Sequence, residues 1–106
     1  MIKLTHLFTP RETVQTLDAL VPYLDDVYLP IAGALPGTLR IEQARIAQRP
    51  LGSVHVLASI DQYFDDEDAM NRAMASPEGR RLARELMDNA RQAPELLVFD
   101  LTSAST

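Results

Sequence analysis

Two histidines, three tyrosines and a short run of arginines are the side chains of this 106-residue chain with chemistry beyond packing. His55 alternates with Val54 and Val56, so on a strand it projects from the face opposite the valines. An imidazole in an apolar cavity exchanges a proton near neutral pH, which suits isomerisation, cyclisation or cofactor-free oxygenation of an acidic organic substrate. The plainer alternative is a hydrogen-bonded sheet or interface histidine. His6 shares its strand parity with Ile2, Leu4 and Phe8. If those residues face covering helices, His6 does too, and it then hydrogen-bonds to Tyr28 or Tyr23. A Tyr28 phenol can orient a carbonyl or phenolate at a pocket mouth, or simply bury its ring and wet its hydroxyl; Tyr63 offers the same choice. Arg40, with Arg45 and Arg49, can attract an anion, although Glu42 is a ready partner for Arg40.

Several chemistries are disfavoured. The chain has no cysteine, which removes disulfides, thiolate metal sites and a cysteine nucleophile together. The two histidines lack ligand spacing such as His-x-x-x-His, so no metal is expected. Asp65, Asp66, Glu67 and Asp68 are accounted for by the amides and positive dipole end of a helix start. No glycine-rich phosphate loop is present, which argues against nucleotide cofactors, and no cofactor is expected. A net charge of -5, without aromatics among the basic residues, disfavours nucleic acid. No apolar run reaches membrane-spanning length and the first residues do not resemble a signal peptide, so a cytoplasmic location is expected.

The elements that position these side chains follow from apolar periodicity. Residues 2 to 8 read as a strand, and Thr9-Pro10-Arg11-Glu12 as a capping box opening a helix. Leu17, Leu20, Leu24, Val27, Ile31 and Leu35 stripe one face of that helix toward Pro36, with a break expected near Pro22. Residues 38 to 48 form a second strand. In the third, Val54, Val56, Ala58 and Ile60 alternate with His55, Leu57, Ser59 and Asp61 on the opposite face. Ala69, Met70, Ala73 and Met74 stripe the next helix, Ser76-Pro77-Glu78 opens another, and Met87 joins Met70 and Met74 as core filler. Residues 96 to 101 read as a final strand covered on both faces. One domain over 1–102 with a frayed tail over 103–106 completes the organisation.

This order is the α+β, ferredoxin-like βαββαβ plan, a four-stranded antiparallel sheet with its helices on one face. The bare face carries Leu57 and Ser59 and calls for a cover, which a second copy supplies most simply.

The chain resembles the EthD family, named for ethyl tert-butyl ether degradation, within the dimeric α/β-barrel superfamily. The likeness rests on Ile2-Lys3-Leu4, on Tyr28-Leu29-Pro30-Ile31-Ala32 followed by Leu35-Pro36-Gly37, and on Met74-Ala75-Ser76-Pro77-Glu78-Gly79. Members commonly carry histidine where this chain has Tyr28. The resemblance implies two subunits pairing bare sheet faces into a barrel with a small-molecule cavity. Candidate catalytic residues are then His55 and His6, and candidate ligand contacts are Tyr28, Tyr63, Leu57, Ser59 and Arg40. The expected function is a homodimer binding a small hydrophobic organic compound, as a cofactor-independent oxygenase, isomerase or cyclase. The alternative is a noncatalytic sensing or accessory dimer.

Overall fold

The computed structural model describes residues 1–102; the tail expected over 103–106 lies outside them. Four strands, β1 (Ile2–Phe8), β2 (Arg40–Arg45), β3 (Ala58–Phe64) and β4 (Glu95–Asp100), form one antiparallel sheet in the order β2-β3-β1-β4. Alternation on the two inner strands divides the sheet. Ile2, Leu4, His6 and Phe8 of β1 and Ala58, Ile60, Gln62 and Phe64 of β3 are all buried beneath the helices. Lys3, Thr5 and Leu7 look the other way with Ser59, Asp61 and Tyr63, onto a face that no helix covers.

The first helical run starts later than expected. Thr16, not Thr9, is the N-cap of α1 (Leu17–Tyr23), and its hydroxyl accepts the Ala19 amide at 3.2 Å. The preceding segment is held by a turn in which the Arg11 and Val14 amides and carbonyls bond reciprocally. Val14 is buried there and the Arg11 guanidinium donates to the Ala93 carbonyl at 2.9 Å, so tertiary contacts override the local capping signal.

Pro22 does not break the run. The helical path continues through a π-helical segment, Leu24–Tyr28, into α2 (Leu29–Gly33), and the Leu29 amide reaches five residues back to the Leu24 carbonyl. The wider turn falls just ahead of Pro30, which has no amide to donate. It also changes the buried stripe: Tyr28 is fully buried where Val27 was expected, and Val27 is 37% exposed.

On the second crossover, Asp66 caps α3 (Glu67–Ala75) by accepting the Ala69 amide at 2.8 Å. Ser76 caps α4 (Pro77–Asp88) by accepting the Gly79 amide at 3.1 Å. Each residue of Ser76-Pro77-Glu78-Gly79 therefore has a local cause. Serine caps, proline takes the first turn, glutamate meets the positive helix end, and glycine is required because a β-carbon at 79 would overlap the Met74 carbonyl. Met70 joins the core, whereas Met87 is on the surface at 79% exposure, contrary to expectation.

The strand order also corrects the last strand. β4 is an edge strand with Leu97, Val98 and Phe99 exposed, because the helices rest on β1 and β3 and leave both edges uncovered.

Candidate functional site

The sequence-predicted residues fall into three places. Beneath the helices, His6 and Tyr28 meet with Gln62, and all three are fully buried. His6 Nδ1 lies 2.6 Å from the Tyr28 hydroxyl and Nε2 lies 2.6 Å from Gln62 Oε1. Gln62 Nε2 donates to the Ala32 carbonyl at 2.8 Å and to Thr38 Oγ1 at 3.2 Å, which turns its Oε1 toward the histidine. An amide oxygen only accepts, so His6 carries its proton on Nε2, and its bare Nδ1 accepts from Tyr28. Burial pulls the His6 pKa down to about 4, against smaller upward pulls from the Gln62 hydrogen bond and the Asp61 charge. Burial also raises the Tyr28 pKa, so the phenol keeps the proton it donates. His6 thus faces the helices with its strand neighbours and meets Tyr28 there. Both ring nitrogens are engaged inside the protein, and the triad ties the π-helical segment to β1 and β3.

On the uncovered face, cross-strand pairing sets Arg40 beside Tyr63, with Ser59 further along β3 on the same face. Tyr63 sits between Lys3 and Arg40, Asp61 between Thr5 and Glu42, and Ser59 between Leu7 and Ala44. The Arg40 guanidinium lies over the Tyr63 ring at 4.4 Å and pairs with Glu42 at 3.1 Å. At the centre, the Thr5 hydroxyl donates to Asp61 Oδ1 at 2.6 Å. Lys3 Nζ caps the Phe99 ring at 5.0 Å toward the β4 edge. The face is amphipathic, with oriented polar groups between apolar side chains.

The third place is the connection between β2 and β3, where two expectations need correcting. His55 is not on a strand: β3 begins at Ala58, and His55 lies exposed in the irregular segment before it. Leu57 is not on the bare face either. Its amide bonds to the Phe8 carbonyl, one residue out of step with the Phe8–Ala58 pairing, and this bulge-like offset turns Leu57 into the core at 8% exposure. Beside it is a groove of about 510 Å³ walled by Ile46, Val54, Val56 and Leu57, with Arg49 and His55 at its polar positions. A smaller hollow of about 200 Å³ shares Ile46 and Val56 as walls and includes Ala44 and Ser59, two residues of the uncovered face. A larger groove, about 540 Å³, runs along α4 at Pro77, Arg80, Ala83 and Arg84 and meets none of the sequence-predicted residues.

Sequence reasoning missed Gln62 and the Thr5–Asp61 pair. Gln62 has the parity of Ala58 and Ile60, so a strand read one residue further would have placed an amide in the core, where it must find partners. Among the described residues no group of three or more histidine, aspartate or glutamate side chains converges as metal ligands do, and no helix is long and apolar enough to cross a membrane.

No family model matches the chain, and no curated protein does. Solved structures share its fold. An EthD family protein from Bacillus halodurans C-125 superposes with a TM-score of 0.80 at 22% identity, covering 96% of this chain and 99% of that one. SnoaB, a cofactor-independent oxygenase from Streptomyces nogalater, matches at a TM-score of 0.59 and 18% identity over 97% and 94% of the two chains. A dimeric protein of unknown function and ferredoxin-like fold from Bacteroides fragilis matches at 0.61 and 13% identity over 94% and 95%. The ferredoxin-like architecture and the likeness to EthD proteins expected from the sequence are both found.

Proposed function

We propose that this protein is a homodimer that binds a small hydrophobic organic compound between its sheets and the β2–β3 connection. The observation that carries the reading is the meeting of an uncovered amphipathic sheet face with an apolar groove at Ser59, Ala44, Ile46 and Val56. A second sheet laid on that face would roof the hollow and leave a chamber with apolar walls and few polar groups, the usual form of a small-molecule site. The dimeric relative of the same fold supports the pairing.

Chemistry in such a chamber would fall to His55. His6 and Tyr28 are engaged with each other and with Gln62, whereas the His55 imidazole stands in the groove wall. The shared fold of a cofactor-independent oxygenase supports turnover by side chains alone, with His55 giving or taking a proton. A native mass spectrum of the gently purified protein tests the binding function. The expected result is a dimer carrying a retained small organic mass. A monomer overturns the paired sheets, and a dimer that retains no ligand and takes up none from a panel of hydrophobic organic compounds overturns the binding function. His55→Ala should lose any turnover while still binding, though more weakly.

A further inference from the structure

We infer that the compound bound in the β2–β3 groove is an organic acid, its carboxylate or phenolate gripped by Arg49 and His55 while its apolar part lies along Ile46, Val54 and Val56. This rests on the binding function proposed above and names the class of ligand.

Three arginines mark the segment from β2 into the connection, and two are already engaged. Arg45 makes two contacts to the Asp25 carboxylate, at 2.8 and 3.0 Å, and Arg40 pairs with Glu42 while lying over Tyr63. Arg49 has no carboxylate within salt-bridge distance among the described residues. It stands in the wall of the one described groove that also holds a histidine, and the rest of that wall is aliphatic. The chain as a whole carries a net charge of -5, so an exposed guanidinium without a carboxylate partner, at the rim of an apolar groove, runs against its overall sign.

The chemistry of that hollow is selective. A guanidinium offers planar paired donors that match a carboxylate, and charge-assisted bonds of this kind are stronger than neutral ones. The His55 ring can donate one further N–H to the same oxygens. Next to them, Ile46, Val54, Val56 and Leu57 provide a wall with no polar side-chain atom to satisfy. A neutral alcohol of the same length would fill the wall and leave the guanidinium without its counter-charge. An amine would place like charge against Arg49.

Calorimetric titration of the intact protein with octanoate, octan-1-ol and octylamine at low salt tests this. Octanoate should bind about tenfold or more tighter than octan-1-ol, the size of one charge-assisted hydrogen bond, and octylamine should bind weakest. Arg49→Gln should bring octanoate to the affinity of octan-1-ol without changing the alcohol's, and Arg49→Lys should retain part of the preference. Equal binding of acid and alcohol in the native protein overturns the acid grip and leaves the binding function standing. Binding of none of the three removes the groove as a site and takes both down.

Discussion

At the scale of the residue, the His6 triad is a titration device as much as a strut. A folded-state pKa near 4 against an ordinary value of 6.5 means that the unfolded chain takes up a proton the folded chain refuses. The stabilisation is complete above pH 6.5 and is lost as pH falls from there toward 4, by on the order of 3 kcal/mol for this group. Urea unfolding of the native protein and of His6→Asn, at about pH 7 and about pH 4.5, should show the native midpoint dropping by more than that of the variant. Parallel drops would mean that other groups carry the acid sensitivity. Strand parity made His6 and its Tyr28 partner legible from sequence, because two residues per repeat is a local rule. Gln62 was hidden by a strand read as ending too soon. His55 was misplaced because Val-His-Val alternates like a strand while the chain there is irregular.

At the scale of the element, the two candidate caps of the first helix give opposite expectations. Thr16→Ala should cost about 1 kcal/mol, since its hydroxyl holds the Ala19 amide, and Thr9→Ala should cost close to nothing as a capping loss. Gly79→Ala should cost about 2 kcal/mol or more by forcing a β-carbon against the Met74 carbonyl at the α3–α4 junction. Denaturant midpoints of the three variants at equal slope measure these directly. The Ser76 cap and the acidic start of α3 were readable because each acts within four residues. The late start of α1 was not, since Ala93, remote in sequence, supplies the carbonyl that holds Arg11. The π-helical segment was also hidden: a carbonyl released by Pro30 and a turn one residue wider leave no distinct pattern of side chains, only the exchange of Val27 for Tyr28 in the core.

At the scale of the whole molecule, the sheet order and its helix-free face were foreseeable from the order of elements and the handedness of crossovers. The exposure of β4 was not, because a segment from Leu96 to Leu101 that is apolar on both alternations apart from Asp100 looks the same at a covered centre and at an edge awaiting a partner. Leu97, on the bare face opposite Thr5, tests the proposed dimer without touching the core. Leu97→Lys should leave the far-ultraviolet spectrum unchanged and raise the dimer dissociation constant about a hundredfold or more, since symmetry counts the lost apolar contact twice. Sedimentation equilibrium reads the outcome, and an unchanged association would place the interface elsewhere.

The two faces of the sheet also fix the proportions of the molecule, with extents of 42, 34 and 17 Å. One protomer is a slab, and only its shortest direction grows when a second is laid face to face upon it. Doubling that direction brings it level with the middle one, so the pair approaches a rounded block while its longest chord stays nearly that of a single chain. In small-angle scattering the forward intensity per unit mass would double while the greatest pair distance scarcely changed. In a centrifuge the frictional ratio would fall on association, where an end-to-end pair would make it rise.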